Sequence, residues 1–142
     1  MALIRGKVYA VGGVDATSND CATVERYDPG TDSWESVANM PTPRSYLAAV
    51  AYGRHLYALG GDLDEETLAD VERYDPARDA WERLAPMPTP RKFFAAVELG
   101  GFLYAIGGET QGEEYTATVD RYEFASGEWS PSRLRPPFQE TW

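Results

Sequence analysis

At 142 residues the chain has the length of one ordinary domain and can bury a core if its parts close on one another. Its 23 acidic against 13 basic residues leave a net charge of −10 with no basic cluster to override it, which excludes nucleic acid and anionic membrane as first partners. The single Cys21 and lone His55 exclude a disulfide framework and a closed Cys/His zinc site, so neither a metal nor a cofactor is expected.

The opening residues, Met1-Ala2-Leu3-Ile4-Arg5, have neither the apolar run of a signal peptide nor the length of a membrane span, and the expected location is cytoplasmic. The first apolar run, Val8-Tyr9-Ala10-Val11, reads as a strand covered on both faces and ends at Gly12-Gly13. A polar connection over 14–23 leads to Val24-Glu25-Arg26-Tyr27, whose charges place that strand nearer solvent. Asp28-Pro29-Gly30 then sets a tight turn, because proline fixes the φ with which such a turn begins. A further strand opens around Trp34, and Met40-Pro41-Thr42-Pro43 stops it, since proline cannot donate to a central ladder.

The same order then recurs. Leu47-Ala48-Ala49-Val50 adds a strand ahead of the series, Gly53 turns it, and Leu56-Tyr57-Ala58-Leu59 ends at Gly60-Gly61. A connection over 62–70, the strand Val71-Glu72-Arg73-Tyr74, the turn Asp75-Pro76-Ala77, Trp81 and Met87-Pro88-Thr89-Pro90 follow. A third pass runs from Phe94-Ala95-Ala96-Val97 through Gly107-Gly108, a connection over 109–118, Tyr122 and Trp129. Each recurrence stands 47 or 48 residues after the last, and 24–53 aligns with 71–100 without a gap. On this alignment Met1 is equivalent to Ala48 and Ala95, in the middle of the first strand.

Four short antiparallel strands per repeat, each repeat too small to bury two faces alone, predict an all-β protein of propeller blades. An apolar strand ending in Gly-Gly, then Val-Glu-Arg-Tyr-Asp-Pro, then Trp, then Met-Pro-x-x-Arg resembles the kelch repeat. Three blades are expected, at about 1–43, 44–90 and 91–142, within a single propeller unit. The third copy departs from the pattern, because 120–124 lacks the proline and 132–142 lacks the Met-Pro-Thr-Pro-Arg block.

Most of the repeated residues carry structural readings. Gly12, Gly13, Gly60, Gly61, Gly107 and Gly108 are followed by no helix start or Lys-Ser/Thr, so they serve strand ends that need positive φ rather than a phosphate loop. Tyr27, Tyr74 and Tyr122, with Trp34, Trp81 and Trp129, recur at blade spacing and supply the bodies that pack blade on blade. Asp62-Leu63-Asp64-Glu65-Glu66 lacks the glycine and terminal glutamate of a calcium loop and reads as a solvated connection.

Arg44 and Arg91 stand where one repeat crosses to the next and are open to two readings. They either satisfy buried carbonyls at the crossover or grip a partner. In an up-and-down blade the crossover and the connection between the second and third strands emerge on one face. That face collects Arg44, Tyr46, Arg91, Phe93 and the acidic loop of Asp62, Asp64 and Glu65. The kelch resemblance implies that this face binds a partner protein or peptide. Arginines beside aromatics suit an acidic or hydroxyl-rich segment, while the acidic loops leave basic partners open.

The resemblance also admits enzymes, some of them copper oxidases and others acting on sialic-acid-type sugars. One His and one Cys cannot build the copper site, no carboxylate pair singles itself out, and the chain is read as non-catalytic. A structural or engineered half-propeller without a native ligand is a further reading. Three blades do not close a ring, so a homodimer is expected, with 139–142 of one chain handing over to 1–4 of the other within a shared inner strand.

Overall fold

A computed structural model describes residues 1–132. It forms three four-stranded antiparallel sheets. The first is β1 (Ala2–Ile4), β2 (Lys7–Val11), β3 (Val24–Asp28) and β4 (Ser33–Val37), paired in chain order. In the second, β5 (Ala48–Tyr52) and β6 (His55–Leu59) precede the small hairpin β7 (Asp62–Leu63) and β8 (Glu66–Thr67), and β9 (Val71–Asp75) and β10 (Ala80–Leu84) complete the sheet. The third repeats this with β11 (Ala95–Leu99), β12 (Phe102–Ile106), the hairpin β13 (Glu109–Thr110) and β14 (Glu114–Tyr115), then β15 (Val119–Glu123) and β16 (Glu128–Pro131). The first strands β1, β5 and β11 lie side by side, as they do around a propeller axis.

One expected equivalence is off by a residue. Ala2 pairs with Tyr9 as Val50 pairs with Tyr57, so Met1 corresponds to Ala49 rather than Ala48. Glycine falls differently in the two hairpin turns, second after Arg5 in the first and first before Arg54 in the next. In copy one Arg5 and Gly6 both take positive φ, 49° and 77°, as a two-residue hairpin turn with strand-matching twist requires. The proposed handover segment 139–142 lies outside the described residues.

The core sits in the seams between sheets. Ile4, Tyr9, Val24 and Met40 of the first sheet close on Leu56, Ala58 and Tyr74 of the second. Val50, Tyr57, Leu59, Val71 and Met87 close in turn on Leu103, Ala105 and Tyr122 of the third. Leu56, Ala58, Leu59, Leu103 and Ala105 are wholly buried, and each leucine contributes about 1.5–3 kcal/mol by leaving water. Polar clasps flank the first seam, where the Asp79 carboxylate accepts the Ala38 N–H at 2.9 Å and the Trp81 indole donates to the Ala38 carbonyl at 2.8 Å. Trp129 repeats the indole half of this clasp on the Ala85 carbonyl, at 2.9 Å.

The third strand is less solvated than its charges suggest. Glu72 and Asp120, on β9 and β15, are buried to 0% and 3% exposure, whereas their counterpart Glu25 on β3 is exposed. The reason lies in their partners, which belong to the candidate site.

Candidate functional site

The crossover segments and the loops after β2, β6 and β12 converge at one end of the sheets. Arg44 stands there with 0% exposure. Its Nη1 donates to the carbonyls of Gly60 at 3.0 Å and Asp70 at 2.9 Å, and its Nη2 pairs with the Glu72 carboxylate. Its own carbonyl accepts the Gly13 N–H at 2.9 Å, and its N–H donates to the Cys21 carbonyl at 3.0 Å. Arg44 therefore ties the second sheet to the first: the side chain holds one and the backbone the other. Burial draws the Arg44 guanidinium below its ordinary pKa, and the Glu72 charge opposes that shift.

Arg91 repeats the arrangement one blade later. Its guanidinium donates to the Gly107 carbonyl at 2.7 Å, the Thr118 carbonyl at 3.1 Å and the Asp120 carboxylate at 2.7 Å, again with 0% exposure. Its carbonyl accepts the Gly61 N–H at 2.9 Å. Of the two readings of these arginines, the geometry has the one in which they satisfy buried carbonyls. Their carboxylate partners were missed in the sequence, although the acid recurs 28 residues after Arg44 and 29 after Arg91. The double Gly serves the same junction. A Cβ on Gly60 would meet the Arg91 carbonyl and one on Gly61 the Ser45 carbonyl, and both glycines hold positive φ.

Two residues beyond each arginine the chain turns outward. Tyr46 and Phe93 are 48% and 56% exposed, and their rings lie 4.3 Å apart between centroids. Both take φ values near 50°, in the left-handed region that aromatic residues seldom adopt. The strain is held by flanking ladders: Ser45 bridges Asp62, Lys92 bridges Glu109, and the Phe93 N–H donates to the Tyr46 carbonyl at 3.2 Å. Strained conformations kept in exposed side chains concentrate at binding sites, because the surrounding structure must over-determine them.

The acidic loop is more ordered than a solvated connection. Asp64 and Glu65 form the two-residue turn between β7 and β8, with φ of 50° and 68°, and both side chains are exposed. Asp62 is 7% exposed and accepts from Lys92 Nζ at 2.6 Å, a bond that raises the lysine's pKa. Val14, Ser18, Asp20, Ser45, Tyr46, Asp62, Asp64 and Glu65 together line an open groove of about 500 Å³. The structure thus brings Tyr46, Asp62, Asp64 and Glu65 into one groove, sets Phe93 against Tyr46, and withdraws Arg44 and Arg91 beneath them. At the other end of the sheets, Arg5, Lys7, Arg26 and Arg54 face Asp75 across a smaller cleft of about 230 Å³. Among the described residues no group of three or more His, Cys, Asp or Glu is placed to hold a metal ion.

Three blade-like sheets with buried seams define a β-propeller architecture. The family described as the KLHDC2/KLHL20/DRC7 Kelch-repeats domain matches residues 1–138, and the chain belongs to the kelch-repeat family. It is 36% identical over 61 residues to beta-scruin of Limulus polyphemus, covering 43% of this chain and 7% of that protein. It is 34% identical over 71 residues to Kelch-like protein 15 of Homo sapiens, covering 47% of this chain and 12% of that one. The chain therefore spans a small part of the curated relatives it matches. The solved structure of YjhT superposes with a TM-score of 0.82 at 17% identity, over 96% of this chain and 51% of that chain, which shows a shared fold. Among the described residues no helix is long and apolar enough to cross a membrane.

Proposed function

We propose that the chain is a protein-interaction module, not a catalyst, and that it binds a partner protein or peptide on the loop-bearing face. The observation that carries this reading is the exposed Tyr46–Phe93 pair, two aromatics at equivalent places in successive blades, each in a strained backbone and set beside an open groove. Large rigid side chains at the centre of a contact surface supply most of the energy of protein recognition. Kelch-like relatives support the general class, and the free thiol of Cys21 suits a cytoplasmic setting. Affinity capture from lysate with the wild-type chain and with Tyr46→Ala/Phe93→Ala tests it. Partners held by the wild type are expected to be lost from the variant, and equal recovery by both would place binding elsewhere.

A second reading, that two copies complete one propeller, is favoured by the outer face of the first blade. Asp32 and Trp34 hold the places of Asp79 and Trp81, yet Trp34 is 50% exposed and its indole has no hydrogen-bond partner among the described residues. Leu3, in the same cross-strand row at the opposite edge of that sheet, is 63% exposed, and Val97 and Leu99 on the far side of the third blade are 48% and 69% exposed. These two faces correspond to the pair that already meets twice within the chain. Sedimentation across concentration is expected to show a dimer that Trp34→Ala weakens; a concentration-independent monomer would sink it.

A further inference from the structure

The cations that the sequence sets on the loop face do not reach its surface as free charges. The loops over 12–23, 60–70 and 107–118 contain no lysine, arginine or histidine. Of the crossover cations, Arg44 and Arg91 are wholly buried against Glu72 and Asp120. Lys92 is spent on Asp62 at 2.6 Å, with Glu109 at 3.9 Å, and leans over the Phe93 ring at 5.8 Å. What remains outward is acidic: Asp64, Glu65 and Glu66 on one hairpin, Glu113 and Glu114 on the next.

We infer that the groove beside Tyr46 takes a peptide segment that carries lysine or arginine next to an apolar side chain. This rests on the reading of the loop face as the partner-binding face and narrows it to one chemistry. Asp20, Asp62, Asp64 and Glu65 line the groove and no cation does, so an entering ammonium or guanidinium finds complementary charge and an acidic segment meets repulsion. The floor adds an acceptor. Asp62 gives Oδ2 to Lys92, while its Oδ1 is buried with no hydrogen-bond partner among the described residues, a deficit that a donor in the groove would relieve. Val14, 46% exposed, and the half-exposed Tyr46 ring supply the apolar wall, with the Phe93 ring packed against Tyr46 at its margin, and a guanidinium can lie on an aromatic face while it reaches the carboxylates. The sequence expectation of an acidic or hydroxyl-rich partner depended on two surface arginines, and it loses its support once they are buried.

The test is selection of a phage-displayed random peptide library on the immobilised full chain. The chosen peptides are then titrated against the wild type, Asp64→Asn/Glu65→Gln and Tyr46→Ala/Phe93→Ala. The inference expects enriched sequences with lysine or arginine beside an apolar residue. It expects at least about a tenfold loss of affinity in the charge-neutralised variant, and a steep fall with added salt. Enriched sequences that are neutral or acidic, lose affinity when Tyr46 and Phe93 are removed and ignore the charge variant would overturn the inference while leaving the binding face in place. Peptides that bind the aromatic double variant as well as the wild type would overturn the binding face itself, and a library without enrichment would overturn both. Thermal melts of each variant confirm that folded chains are compared, since all four altered side chains are exposed.

Discussion

Arg44 and Tyr46 stand two residues apart and meet opposite fates, and Arg91 and Phe93 repeat the contrast one blade later. The arginines go inward, where every buried carbonyl at the crossover needs a donor and a single guanidinium can serve several. The aromatics go outward at a cost in backbone strain. A residue type that commonly grips partners has been used as a rivet, and one that commonly fills cores has been left on the surface. Under the proposed function, stability and recognition are separated along a three-residue stretch.

The largest effect that would sharpen this contrast comes from the rivet. Arg44→Met leaves the fully buried Glu72 carboxylate without its main partner and is expected to cost about 3–5 kcal/mol in urea unfolding. Adding Glu72→Met should restore much of that loss, because the penalty is an uncompensated buried charge and not the absence of the pair. A double variant as unstable as the single one would mean that the carbonyl bonds to Gly60 and Asp70 carry the interaction.

A smaller effect separates the inner seam from the open flank. Trp81 packs in the first seam and bonds Ala38, so Trp81→Ala should cost about 3–5 kcal/mol, near the usual loss for a large aromatic. Trp34→Ala, measured in dilute solution, should cost less than half as much, since that ring is half exposed. Equal costs would show that the first blade's outer face is covered even at low concentration.

The smallest effect is in pH. Hydrogen bonds from the Tyr74 hydroxyl and the Ala38 N–H hold the Asp79 carboxyl below its ordinary pKa of 3.8. A depressed folded-state pKa contributes stability that is present above the unfolded value and is lost as pH falls through the folded one. The melting difference between wild type and Asp79→Asn should therefore be present near neutrality and shrink below about pH 4, where the unfolded carboxyl begins to protonate. A difference that grows on acidification would contradict the assignment.

The architecture was legible because repetition exposes it: Gly-Gly, Tyr and Trp return at fixed spacing, and Tyr74, Trp81, Tyr122 and Trp129 sit in the two seams, whereas Trp34 lies on the open flank of the first blade. Register was misread by one residue at Met1, because a hairpin turn accepts glycine at either of its two central positions and spacing alone cannot say which. The burial of Glu72 and Asp120 was missed because an acidic residue within a strand ordinarily faces water, and only its meeting with an arginine 28 or 29 positions earlier reverses that. Topology puts Tyr46 and Phe93 on the crossover segments, where the structure has them exposed. Their strained φ was invisible, because nothing in an aromatic residue's identity announces a left-handed backbone.

The most direct test of the separation is a paired measurement on Tyr46→Ala/Phe93→Ala: thermal melting alongside affinity for the peptides selected on the wild type. The two rings are about half exposed, so melting is expected to stay within the range of ordinary surface changes, about 0.5 kcal/mol per site, while affinity falls at least about tenfold. A variant that melts far below the wild type yet keeps its affinity would contradict the account, since the aromatics would then belong to the scaffold with the arginines.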